Sequence, residues 1–244
     1  VVAPHGETDI DMDLAVNLPG LDGVTEPTMA SDGTLVYGTD EDTAIAVQPH
    51  ANGVRILTVI ESHESPVAFE YELEVPEGAH LAEATDGSVE VIDETGQVMA
   101  LLDVPWALDA DGVAVPTHFE VSGRVVTQIV EHSDSYAYPI TADPWLWIKL
   151  ISSVKSTGSG KNTVYHVYPT LYGRAGAPAV ARLAALNEAK TFYPWAFTQA
   201  NIRDQFYCHY DARLVTAFKG SWNLELWRPN VGLARTIVAK CNPQ

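Results

Sequence analysis

The stretch "DQFYCHY", residues 204–210, places Asp204, Gln205, Cys208 and His209 within two helical turns. A thiol beside an imidazole could be a nucleophile with its base, part of a metal site, or one end of a cross-link. Helix geometry argues against the first, because adjacent residues diverge by about 100° and do not face each other. The only other cysteine is Cys241. Two thiols without clustered histidines make a poor zinc set, so no metal is expected. In an exported chain an even pair reads as a disulfide. Such a bond would close a loop of roughly 34 residues, worth about 3–4 kcal/mol by chain entropy.

If 201–210 is helical, Gln205 and His209 are i, i+4 neighbours. His166, on a predicted strand upstream, could approach them. His166 and His209 would then form an acid–base pair, with Arg203 holding an anion, as phosphodiester cleavage requires. The competing reading makes Gln205 and His209 the partners of buried backbone groups beside the disulfide. "SWNLELWRP" offers Trp222, Asn223, Trp227 and Arg228. Exposed, they would stack on and bind sugars or bases; on a core strand, the tryptophans would pack inward. No hydrolase elbow, metalloprotease helix or dinucleotide fingerprint is present, and no cofactor is implied. Gly160-Lys161 invites a phosphate-loop reading, but position 155 is Lys and position 162 is Asn, which breaks the motif.

The elements that must position these residues divide by charge. Residues 1–144 hold two basic residues against 28 acidic ones, −26; residues 145–244 hold twelve against four, +8. Five of the six tryptophans also fall in the second part. Such asymmetry points to two domains and to an interaction role. No apolar run approaches the ~20 residues of a membrane-spanning helix. No leader pattern opens the sequence at Val1, so any export signal is expected to have been removed or to lie outside it.

The first part alternates with period two. "FEYELEV" sets Phe69, Tyr71, Leu73 and Val75 against Glu70, Glu72 and Glu74; "DIDMDLAVNL", residues 9–18, does the same. Further strands are predicted at 34–37, 43–47, 54–60, 88–92, 98–102, 118–122, 124–130 and 136–141, broken by turns such as "SDG", "TDG" and "DADG". The fold class is therefore mostly β: an acidic antiparallel β-sandwich over 1–144, a Ser/Gly-rich linker over 145–162, and a small basic α+β domain over 163–244. Asp40, Glu41 and Asp42, or Asp109 and Asp111, are acidic clusters without a calcium-loop pattern. In the second domain "NTVYHVYPTL" reads as a strand. "APAVARLAALNEAKTF" reads as a helix with a Val180, Leu183, Ala184, Leu186 stripe, and "ANIRDQFYCHY" as a second helix capped by Asn201. "ARLVTAF", "SWNLELW" and "ARTIVAKC" read as strands.

"DQFYCHY", "SWNLELWRP" and the terminal "CNP" give residues 163–243 a resemblance to an uncharacterised domain family of secreted proteins from high-GC Gram-positive bacteria. Residues 105–144 resemble a strand segment found just upstream in similar proteins. The resemblance implies secretion and a Cys208–Cys241 disulfide; it carries no catalytic roles. Two expectations follow. In one, a secreted binding or antibacterial effector engages an anionic envelope polymer through its basic domain, with the acidic domain docking on it as internal partner or pro-domain. In the other, the basic domain is a small nuclease-like hydrolase.

Overall fold

A computed structural model describes residues 14–20, 26–39, 42–213 and 219–244. The chain divides into two compact units, one ending at Ile148 and the other running from Lys149 to Gln244.

Among the described residues, the regular elements of the first unit are all strands. They are β1 (Ala15–Asn17), β2 (Thr28–Met29), β3 (Leu35–Gly38), β4 (Thr43–His50), β5 (Gly53–Ile60), β6 (Ala68–Glu74) and β7 (His80–Glu83). After these come β8 (Val89–Ile92), β9 (Val98–Leu102), β10 (Trp106–Leu108), β11 (Thr117–Ser122), β12 (Val125–Val130), β13 (Ile140–Asp143) and β14 (Trp145–Ile148). One sheet runs β1-β6-β12-β11; the other runs β2-β3-β4-β5-β14-β9-β8-β7, with β13 pairing β5 and β10. All pairings are antiparallel. Alternation explains the core: Phe69, Tyr71 and Leu73 are buried while Glu70, Glu72 and Glu74 face out. Tyr71 crosses from one sheet to share a 2.8 Å hydrogen bond with Thr58 of the other. Burial pushes its phenol up, against that bond.

Part of the acid excess is turn chemistry. Asp32, Asp86, Asp93 and Asp109 each accept hydrogen bonds from backbone N–H groups two to four residues on. Asp109 spends its oxygens on Asp111, Val113 and Ala137, so the Asp109/Asp111 cluster is a turn. Asp40 and Glu41 lie outside the described residues, as do 9–13 of the first predicted strand.

The segment expected as a linker is instead structured. Residues 145–148 are β14, and β15 (Ile151–Thr157) pairs with β16 (Val164–Pro169). "GSGKN" is the tip of this hairpin, and Ser/Gly content there serves the turn rather than a tether. Gly158 has φ +78°, and a Cβ on it would meet the Asn162 carbonyl oxygen at 2.3 Å.

β16 also pairs β17 (Trp222–Glu225), completing a three-stranded sheet in the order β15-β16-β17. Among the described residues, three α-helices accompany it: α1 (Arg182–Phe192), α2 (Ala200–Asp211) and α3 (Leu233–Val238). On the covered face of the sheet Trp222, 0 % exposed, stands edge-on to Phe206 and Tyr210 of α2, with ring centroids 5.6 and 6.0 Å away.

Three local expectations are corrected. The buried face of α1 is Ala185, Leu186 and Ala189; Val180 and Leu183 stay 75 % and 57 % exposed. Small residues let the helix approach closely, so its phase follows the alanines. Asn201 does not cap α2; its Nδ2 donates to the carbonyls of Leu226 and Arg228. "ARTIVAKC" is helical over its first half despite a β-branched run. Thr236 is buried and donates through Oγ1 to the Gly232 carbonyl, and Cys241 is anchored by its bridge, so tertiary contacts override propensity. Residues 214–218 of "ARLVTAF" lie outside the described residues.

Candidate functional site

Cys208 on α2 is bonded to Cys241, with Cα atoms 5.4 Å apart. The thiol of the opening question is therefore a staple, joining α2 to the turn after α3.

The remaining candidates are sorted by the pleat of β16 and β17. Successive side chains on a strand point to opposite faces. Tyr165 and Val167 go in with Trp222 and Leu224; His166 and Asn223 go out. The register pairs Lys155 with His166 and His166 with Asn223, so one open face carries all three. There His166 Nδ1 lies 2.8 Å from Asn223 Oδ1, and His166 Nε2 lies 2.8 Å from Thr157 Oγ1. Ser221 Oγ donates to the same Asn223 oxygen at 3.0 Å. An amide oxygen only accepts, so Nδ1 carries the imidazole proton and Nε2 accepts from the Thr157 hydroxyl. Lys155 Nζ sits 5.5 Å over the Tyr168 ring on this face.

His209 lies on the covered side. It is 6 % exposed, and its Nε2 has no hydrogen-bond partner. Burial first, and the Lys219 charge second, pull its pKa down to about 4, against a hydrogen bond with the Asn223 backbone. It lines a cleft of about 480 Å³ with Cys208, Ala212, Lys219, Ile237 and Cys241. The sheet therefore stands between His166 and His209, and the expected acid–base pair is not formed. Arg203 is exposed on α2, and among the described residues no hydrogen bond or ion pair joins it to either ring.

Gln205 is fully buried and clamps α2 to the end of β17. Its Nε2 donates to the Glu225 carbonyl at 3.0 Å, and its Oε1 accepts from the Glu225 N–H at 2.9 Å. Of the four aromatic-strand candidates, Trp222 is core and unavailable for stacking, a correction imposed by the two-residue period. Arg228 pairs with Glu225 and donates to the Pro243 carbonyl at 3.0 Å. Asn223 and Trp227 remain exposed, Trp227 by 47 %.

The sequence reading missed Thr157, because "KSTGSGKNT" was assigned to a linker. The signal was present: "SVKST" and "TVYHVY" are alternating runs joined by a glycine-rich tip, a hairpin pattern. Glu188 was missed as well. Its carboxylate accepts from the N–H groups of Leu150 and Ile151, both at 2.9 Å, fixing the start of β15. Burial nevertheless pushes its pKa up to about 7, against those two bonds.

The family match falls within the second unit. Residues 151–244 match the model of a family described as "Protein of unknown function (DUF2599)". Uncharacterized protein Rv0477 of Mycobacterium tuberculosis is 40 % identical over 81 residues, and so is uncharacterized protein Mb0487 of Mycobacterium bovis. The alignment covers 32 % of this chain and 54 % of each relative, so the chain spans about half the length of the proteins it matches. No solved structure matches.

Proposed function

We propose that residues 149–244 form a disulfide-stapled binding module that acts outside the cytoplasm and engages an anionic polymer, such as an envelope component. One observation carries the reading: of the unit's four acidic side chains three are hydrogen-bonded or paired within it and the fourth is buried. Glu188 holds backbone N–H groups, Asp204 is buried, and Asp211 and Glu225 pair with Arg182 and Arg228. Lys155, Lys161, Arg203, Lys219, Arg235 and Lys240 are exposed, with no carboxylate partner among the described residues. Charge of this kind drives polymer binding through release of counterions. The disulfide supports an oxidising compartment. The acidic first unit is, in this reading, the internal partner that competes for the basic surface.

The test is retention of the full chain on polyphosphate at about 50 and 300 mM salt, before and after cleavage at a protease site inserted between Ile148 and Lys149. Binding that strengthens on cleavage at low salt, and fades as screening increases, is expected. Equal binding by cut and intact chains would remove the internal-partner role. No binding by either would remove the polymer.

A further inference from the structure

We infer that Thr157, His166 and Asn223 constitute a nucleophile, base and orienting group for acyl transfer from an ester borne on an anionic molecule. The inference goes beyond polymer binding: its reacting groups are different, and only the charge of its substrate draws on the basic surface, through Lys155 and Lys161.

A weak hydroxyl nucleophile becomes competent when a positioned base takes its proton and a third group holds the base in the right tautomer. The open face supplies each part at hydrogen-bond distance: Thr157 Oγ1 to His166 Nε2 at 2.8 Å, and His166 Nδ1 to Asn223 Oδ1 at 2.8 Å. Ser221, donating to Asn223 Oδ1, fixes which amide atom faces the ring. The three residues come from three strands, and their backbones are locked by the β15-β16-β17 ladder. The face is open, so a substrate can reach Thr157 without a conformational change.

The hairpin tip adds the remaining requirement. Among the described residues, the N–H groups of Gly158 and Ser159 have no acceptor within the protein; the tip's own bonds run from Asn162 N and Thr163 N. The N–H of the residue following a nucleophile is a recurrent donor to the developing oxyanion. Lys155 stands across the ladder from His166, and Lys161 lies in the same tip, so an anionic group on the substrate is favoured near the reacting carbonyl. A neutral ester carbonyl suits a single base. Phosphoryl transfer would ask for several cations on the transferring group.

The step balances without a co-reactant other than water. Thr157 Oγ1 bonds to the acyl carbon as its proton passes to His166 Nε2. The tetrahedral oxyanion collapses, and the departing alkoxide takes the proton from Nε2. Water then attacks the Thr157 ester, giving a proton to Nε2, which returns it to Oγ1 as the acid departs.

The test uses the full chain with 4-nitrophenyl acetate and with the anionic 4-nitrophenyl hemisuccinate, read by nitrophenolate release and by peptide mass. The expected result is a burst of roughly one equivalent with the acyl group on Thr157. His166→Ala should slow acylation about 100-fold or more. Asn223→Ala should slow it about 10-fold, and Asn223→Asp, which keeps an acceptor oxygen, should restore it. Thr157→Val should abolish the adduct while melting and polyphosphate retention stay unchanged, which separates this assignment from the binding reading. No turnover, acylation of lysine alone, or release that survives Thr157→Val would overturn it. Equal rates for the two esters at low salt would overturn the anionic substrate class.

Discussion

Asn223 divides two histidines. Its side chain orients His166 on the open face of the three-stranded sheet, while its backbone meets His209 on the covered face. His166 has both ring nitrogens engaged by polar side chains in reach of solvent. His209 is desolvated among the disulfide, α2 and β17, and is held neutral. The same residue type is therefore a hydrogen-bonded ring within reach of solvent on one face and a desolvated packing group on the other. The two-residue period of β16 turns His166 outward, and the phase of helix α2 turns His209 inward; the spacing of the two along the sequence decides neither.

The sharpest way to break this contrast is to compare substitutions on the two faces. Trp222→Ala, on the covered face, should cost about 3–5 kcal/mol, because it removes the ring against which Phe206 and Tyr210 pack. Thr157→Val, on the open face, should stay within about 0.5 kcal/mol. Chemical denaturation of the two variants measures both, and equal losses would erase the distinction. Reduction of Cys208–Cys241 should cost about 2–5 kcal/mol, seen as a lower melting temperature with reductant.

Two pH effects of opposite sign sharpen the comparison further. His209 has a folded pKa of about 4 against an ordinary 6.5. Its contribution is complete above pH 6.5 and is lost as pH falls through about 4, at up to roughly 1.4 kcal/mol per unit. His209→Gln should flatten that loss in urea midpoints taken from pH 7 to 4. Glu188 is shifted the other way, to about 7 from 4.5. Its contribution is complete below pH 4.5 and is lost as pH rises through 7, so Glu188→Gln should remove a decline over that interval. An unchanged slope in either variant would contradict the assigned burial. The smallest effect is expected at Arg203. Arg203→Ala, an exposed change on α2, should leave stability within about 0.5 kcal/mol and acylation at the parental rate.

Much of the fold was legible because one signal dominated it. Period-two alternation in "FEYELEV" maps directly onto the buried and exposed sides of β6. The alternation of "TVYHVY" carried the same information about His166, and "SWNLELW" carried it about Trp222. There the residue types leave two readings open, stacking on a ligand or packing inward, and the pleat of β17 settles Trp222 inward. Where several constraints compete, sequence reading failed. The alanine face of α1 loses to larger apolar residues in any pattern count. The helix α3 is imposed on a β-branched run by its buried Thr236 and the disulfide beside it. Thr157 was hidden because a glycine-rich tip resembles a tether until both flanking strands are recognised. Its contact with His166 spans nine residues, and the contact that orients His166 spans 57. No local pattern encodes that second distance.

Imidazole nitrogen spectra test the two-face account most directly. Long-range ¹H–¹⁵N correlations of the full chain, assigned with His166→Ala and His209→Gln, report the protonation of each ring nitrogen. The account requires the Nδ1–H tautomer for His166 at pH 8 and a neutral ring for His209 still at pH 5. An Nε2–H tautomer at His166, or a His209 ring already protonated at pH 6, would contradict it.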